Sequence, residues 1–204
     1  MASALVDLVT DYIDFSQPTF YYALANILFN PIYWNIVARA EYRSHILTKL
    51  AGGSAYRGCA ALGFSIFTLG IIRDILYKNA LSYQPIHPFL QEDFIKAIAI
   101  VLFLTGNVLV LSSMWALGFT GTYLGDYFGI LMDARVTGFP FNVCEDPMYT
   151  GSTFTFLATA LWYASPAGVL LTFVVHVVYR VALRYEGPFT AMIYANKDKK
   201  EKEQ

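Results

Sequence analysis

From Thr153 to Leu183 the chain reads TFTFLATALWYASPAGVLLTFVVHVVYRVAL, with Arg180 its one fully charged residue. A helix crosses the hydrocarbon of a bilayer with about 20 apolar residues, whereas these 31 would rise roughly 46 Å. One span is therefore too few. Near the middle lies Ala164-Ser165-Pro166-Ala167-Gly168, a run of turn-forming residues. The stretch reads as a helical hairpin with arms near 147–164 and 166–185.

Three further apolar segments precede it: Thr19–Val37, interrupted by Asn30-Pro31, then Gly58–Leu76 and Phe94–Leu117. The expected fold is all-α, a polytopic membrane bundle of about five apolar helices closed by the hairpin. Composition agrees, since 56% of the 204 residues are hydrophobic and only 14% charged, against about a quarter charged in soluble domains. Residues 1–195 read as a single transmembrane domain and 196–204 as a charged tail. With five spans, the basic loop holding Arg39, Arg43, Lys49 and Arg57 shares a side with the lysine-rich tail and with loop 118–146. Enrichment of Lys and Arg in cytoplasmic loops then makes that side, and the C-terminus, cytosolic. Asn26, Asn30, Pro31 and Asn35 leave a second reading for the first segment, a shallow re-entrant helix.

No basic stripe accompanies the aromatics, which argues against a nucleic-acid partner. Cys59 and Cys144 give neither metal spacing nor a disulfide framework. Residues Met1–Asp7 lack the basic start of a removable signal peptide. Loop Gly118–Asp146 is long, rich in glycine and aromatics, and expected to fold back over the mouth of the bundle.

Polar groups inside a membrane bundle are functional candidates by default. Thr105, Gly106 and Asn107 interrupt the third segment, where small residues serve close helix packing equally well. His176 in the last arm serves either proton relay or a bond to a neighbouring helix. The first arm opens with Glu145-Asp146-Pro147-Met148-Tyr149, and the second ends at Arg184-Tyr185-Glu186-Gly187-Pro188. Antiparallel arms bring Tyr149 and Glu186 to one membrane face, where a phenol, a carboxylate and a helix N-terminus hold a polar small molecule or anchor the interface.

Several stretches carry a resemblance: Phe29-Asn30-Pro31-Ile32-Tyr33-Trp34-Asn35-Ile36-Val37-Ala38-Arg39, Val108-Leu109-Val110-Leu111-Ser112-Ser113, Gly121-Thr122-Tyr123-Leu124-Gly125-Asp126-Tyr127-Phe128-Gly129, Gly138-Phe139-Pro140-Phe141-Asn142, Asp146-Pro147-Met148-Tyr149 and Pro188-Phe189-Thr190-Ala191. Together, and in this order, they resemble the phospholipid N-methyltransferases of phosphatidylcholine synthesis, the fungal members most of all. The resemblance implies an S-adenosylmethionine-dependent enzyme of the endoplasmic reticulum membrane, with a mitochondrial membrane as the second possibility. Its lipid would be phosphatidyl-N-methylethanolamine and the dimethyl form, with phosphatidylethanolamine as a further substrate. No metal is implied.

In that family a Gly-x-Gly and paired glutamates are assigned to the cofactor. Here they align with Leu104-Thr105-Gly106 and Glu186-Gly187, each keeping one family residue. The resemblance thus nominates Leu104, Thr105, Gly106, Glu186 and Gly187 for the cofactor. Methyl transfer to an amine needs alignment, proton removal and exclusion of water. Glu186 and Asp126 are the expected bases, Tyr149 packs beside the cofactor, and Arg39 or Arg135 holds the lipid phosphate. Two alternatives stand beside this one: a methyltransferase for another membrane substrate such as prenylated cysteine, and a non-catalytic lipid-binding protein.

Overall fold

The computed structural model describes residues 11–202, which contain helices and turns but no strand. The readings of Met1–Asp7 and of the last two tail residues lie outside that range. Five long helices are present, α1 (Pro18–Ser44), α3 (Ala55–Ser82), α4 (Asp93–Thr122), α5 (Pro147–Trp162) and α6 (Pro166–Lys202); a long loop separates α4 from α5, the other links are short, and the first of them holds the five-residue α2 (Ile46–Leu50).

The expected hairpin is present. Tyr163, Ala164 and Ser165 turn the chain, with Ala164 in the left-handed region at φ 51°. Ser165 caps α6 by accepting from the Gly168 N–H at 3.1 Å, and Pro166 occupies a first-turn position where its missing N–H costs nothing. Tyr77 of α3 pins the turn end of the hairpin. Its hydroxyl bonds the carbonyls of Phe156 and Gly168 at 3.0 and 2.9 Å and lies 3.0 Å from Thr172 Oγ1.

α1 and α3 form a second antiparallel pair. Asn30 Nδ2 donates to the Leu69 carbonyl at 3.2 Å, and the hydroxyls of Tyr33 and Ser65 are 2.7 Å apart. Contrary to the interruption expected at Asn30-Pro31, α1 is continuous from Pro18 to Ser44 with Pro31 buried inside it. Neighbouring helices satisfy and support backbone that proline disturbs, which is how membrane helices tolerate it.

Among the described residues three helices, rather than five, are long and apolar enough to cross a membrane: α3, α4 with the turn that follows it to Phe128, and α6 as far as Lys197. The 16 residues of α5 rise about 24 Å, short of a hydrocarbon core of about 30 Å. α1 is long enough at 27 residues, but Asn26, Asn30 and Asn35 dilute its apolar character. The bundle turns its large apolar side chains outward, with Trp115 91% and Phe64 72% exposed. A protein surrounded by water would leave no such surface bare; one surrounded by acyl chains has no reason to hide it.

α4 breaks at Gly118 (φ 64°), one residue beyond the expected end of the third segment. The chain then folds back as anticipated, and a 3-10 turn at Gly125–Phe128 buries Tyr127 and Phe128 against α1, α3 and α6. Gly58 makes room for Phe128, whose Cε1 would lie 3.0 Å from any Cβ at that position. α6 runs on to Lys202, well past the arm end expected near 185. The returning loop supports this extension: the Met132 N–H donates to Tyr194 Oη at 3.2 Å, Lys197 Nζ donates to the Met132 carbonyl at 3.4 Å, and Ile193 is buried.

Candidate active site

Glu186 sits where α1, α5 and α6 converge. Its Oε1 accepts from Trp34 Nε1 at 2.5 Å and from Asn35 Nδ2 at 2.9 Å, and its Oε2 accepts from the Tyr149 hydroxyl at 2.5 Å. All three donors are neutral. Ion pairs within 4 Å among the described residues join only His45 to Glu41 and Arg73 to Asp74, so Glu186 has no cation at that distance. Asn35 Nδ2 also donates to the Pro31 carbonyl at 3.1 Å, which fixes the orientation of its amide and leaves Oδ1 buried without a donor.

One turn along α6, Thr190 Oγ1 donates to Asp126 Oδ2 at 2.9 Å, bringing a second carboxylate from the returning loop toward the same end. Tyr127 stacks on Phe189 at 5.0 Å, and its buried hydroxyl has no partner. The structure therefore gathers Glu186, Tyr149 and Asp126 at one end of the hairpin. Trp34 and Asn35 were not nominated for the site from the sequence, although polar side chains in an apolar helix are a signal that could have found them.

The glycine motif lies elsewhere. Leu104 and Thr105 are exposed on the outside of α4, while Gly106 is buried against α5. A Cβ on Gly106 would stand 2.6 Å from the Gly151 carbonyl oxygen, and a Cβ on Gly151 would stand 2.6 Å from that of Gly106. Tyr149 and Gly151 are about 200° apart around α5, so Gly106 and Glu186 approach opposite sides of that helix. Gly187 is exposed, with nothing within 4 Å of where a Cβ would be.

Neither arginine expected at the phosphate lines the cavity between the hairpin arms. Arg39 donates to the Tyr185 carbonyl at 2.8 Å, its guanidinium 4.6 Å from the centre of the Phe189 ring, and Arg135 is exposed on the loop. The cavity measures about 230 Å³, and Tyr149 forms part of its wall along with Asp146, His176, Tyr179 and Arg180. Deeper in the bundle, Arg73 of α3 donates to the Tyr179 hydroxyl at 2.7 Å, and Tyr179 meets Tyr149 edge to face at 5.0 Å.

The phospholipid methyltransferase family matches residues 94–197 of the chain. The phosphatidyl-N-methylethanolamine N-methyltransferase of Emericella nidulans is 58% identical over 191 residues, covering 94% of this chain and 93% of that protein. The Saccharomyces cerevisiae protein of the same name is 55% identical, with 93% and 92% covered. The phosphatidylethanolamine N-methyltransferase of Homo sapiens is 48% identical, with 91% and 93% covered. No solved structure matches.

Proposed function

The chain belongs to the phospholipid methyltransferase family, and from that premise we propose that it brings S-adenosylmethionine and the amine of its lipid together around Glu186 at the mouth of the α5–α6 hairpin. It is an S-adenosylmethionine-dependent enzyme that methylates phospholipid headgroups toward phosphatidylcholine. The proposed substrates are phosphatidyl-N-methylethanolamine and its dimethyl product, with phosphatidylethanolamine accepted as well. The proposed setting is the endoplasmic reticulum membrane, with the basic loops and the C-terminus in the cytosol.

One observation carries the assignment of the site: a carboxylate held by three neutral donors with no cation within 4 Å. Such a charge is stabilised by its donors yet keeps an unfilled place for a positive partner. The donor and the lipid both provide one, as sulfonium or amino group in the first and as ammonium in the second. The unsatisfied Asn35 Oδ1 and Tyr127 hydroxyl give the same region two further polar atoms for a bound molecule.

S-adenosylmethionine, when bound, supplies a methyl group on positively charged sulfur. The rest falls to this chain. A new N–C bond forms as the S–C bond breaks, and the amine has to shed a proton to expose its lone pair. Glu186 on α6 and Asp126, which the returning loop presents to Thr190 one turn further along α6, are the carboxylates offered for that proton. Trp34, Asn35 and Tyr149 hold Glu186 in one position, so it need not reorganise as charge shifts. The surrounding apolar helices keep water out and leave the lipid's acyl chains in the bilayer.

Purified protein, incubated with methyl-labelled donor and phosphatidylethanolamine at each methylation state, gives the direct test. Labelled phosphatidylcholine from the monomethyl lipid is expected in the wild type and is lost in Glu186→Gln. Wild-type turnover in that variant would remove Glu186 from the site.

A further inference from the structure

The cavity between the hairpin arms carries opposite charges that do not meet. Glu145 and Asp146 line it where α5 begins, and Arg180 lines it from α6. No ion pair within 4 Å joins them, so Arg180 faces the shared space with its charge uncompensated at contact distance, as do the two acids. Burial holds the Asp146 carboxyl above its usual range, Glu145 pushes it the same way, and Arg180 pulls it back. The two sides therefore sense each other across the gap without closing it.

That arrangement selects by charge pattern. A simple anion drawn to Arg180 is repelled by Glu145 and Asp146, and a simple cation drawn to the acids is repelled by Arg180. A molecule with an ammonium group and an acidic oxygen a few bonds apart satisfies both. Resting on the function proposed above, we propose that this cavity is a zwitterion site in which Arg180 binds the acidic oxygens and Asp146 the ammonium group of one molecule.

Tyr149 links the cavity to the carboxylate cluster, since it lines the first and its hydroxyl bonds Glu186 in the second. A molecule seated there is one side chain away from Glu186. Two participants in the reaction have the required chemistry. The lipid head pairs a phosphodiester with a protonated amine, and the amino-acid end of the methyl donor pairs a carboxylate with an ammonium.

The test uses the full chain in mixed micelles with Arg180→Gln, Arg180→Lys and Asp146→Asn. It reads the KM for phosphatidyl-N-methylethanolamine and, by calorimetry, the Kd for S-adenosylmethionine, with thermal melting as the check on folding. Arg180→Gln and Asp146→Asn are expected to raise the same one of the two constants at least tenfold, with Arg180→Lys recovering most of the loss. A raised lipid KM alone assigns the site to the headgroup; a raised donor Kd alone assigns it to the amino-acid end. Both constants within twofold of wild type in folded Asp146→Asn and Arg180→Gln overturn the zwitterion site. That result leaves wild-type turnover untouched, whereas absence of labelled lipid from the wild type sinks the functional assignment itself.

Discussion

Gly106 and Gly151 touch backbone to backbone: a Cβ placed on either would stand 2.6 Å from the other's carbonyl oxygen. Nothing the size of a methyl group fits between α4 and α5 there. This contact sets the distance between the two helices, and Tyr149 lies two residues from Gly151 on the opposite side of α5. Gly106 is thus placed to influence the Glu186 cluster by seating α5.

Gly106→Ala is expected to destabilise the bundle by about 1–3 kcal/mol, the usual cost of forcing a methyl into a filled contact. Melting in detergent should fall accordingly. Leu104→Ala and Thr105→Val, on the exposed face of α4, should melt as the wild type does. If Gly106 instead touches the methyl donor, Gly106→Ala keeps its melting temperature and loses donor affinity, which is the opposite signature.

Removing the Glu186 carboxylate strands three donors at once. Glu186→Ala leaves Trp34 Nε1, Asn35 Nδ2 and the Tyr149 hydroxyl without that acceptor, at about 1–3 kcal/mol for each one that stays buried. Trp34→Phe and Tyr149→Phe each delete one donor and leave the charge. Both are expected to lower turnover about tenfold or more by loosening the carboxylate, with less loss of stability than Glu186→Ala. Turnover unchanged in both would mean that the position of Glu186 does not limit the reaction.

Gly187→Glu restores a second acid beside Glu186 and meets no obstruction, because nothing lies within 4 Å of the added Cβ. Consecutive helical residues are about 100° apart, so the new carboxylate points away from the Trp34–Asn35–Tyr149 side. Donor affinity and turnover are expected to stay within twofold of wild type. A tenfold gain in donor affinity would show that the outer face of α6 also contacts the donor.

The hairpin was legible because its apolar run exceeds one span and carries a proline and glycine turn at its middle. Its antiparallel geometry then made the meeting of Tyr149 with Glu186 legible as well. Trp34 and Asn35 were not, since they lie 152 and 151 residues before completing that carboxylate's shell, and no local pattern encodes which helix packs on which. The Gly106 position was ambiguous for a different reason: a small residue in an apolar helix admits a ligand or another helix equally well. The length of α6 was hidden because its lysine-rich end reads as solvated tail, whereas contacts with the returning loop support it.

Arg73 is the strongest polar feature that the sequence pattern understated. It lies in an apolar helix, bonds Asp74 Oδ1 at 2.9 Å and the Tyr179 hydroxyl at 2.7 Å, and has its guanidinium 4.8 Å from the Phe156 ring centre. Arg73→Leu leaves Asp74, 63% exposed, to solvent and deprives the buried Tyr179 hydroxyl of its donor, so it should destabilise the protein by about 1–3 kcal/mol. Arg73→Lys cannot serve Asp74 and Tyr179 with the same fork and is expected to recover only part of the loss. Melting of Arg73→Leu, Tyr179→Phe and the double variant measures the coupling, and simple additivity would mean that the hydrogen bond contributes nothing.

Membrane orientation follows from which end of the bundle holds the site. Lys49 lies between α1 and α3, and Gly138 lies between α4 and α5, so both sit at the Glu186 end; Gln91 lies between α3 and α4 at the other. In a Cys144→Ser background, with Cys59 buried, single cysteines at these three exposed positions can be probed in sealed vesicles by an impermeant thiol reagent. Positions 49 and 138 are expected to react from the cytosolic side and position 91 only after permeabilisation, because the basic residues Arg39, Arg43, Lys49 and Arg57 cluster at the Glu186 end. The reverse pattern would invert the protein and move the candidate site to the non-cytosolic leaflet. A split between 49 and 138 would do more damage, since α1 and α5 could not then converge on one carboxylate.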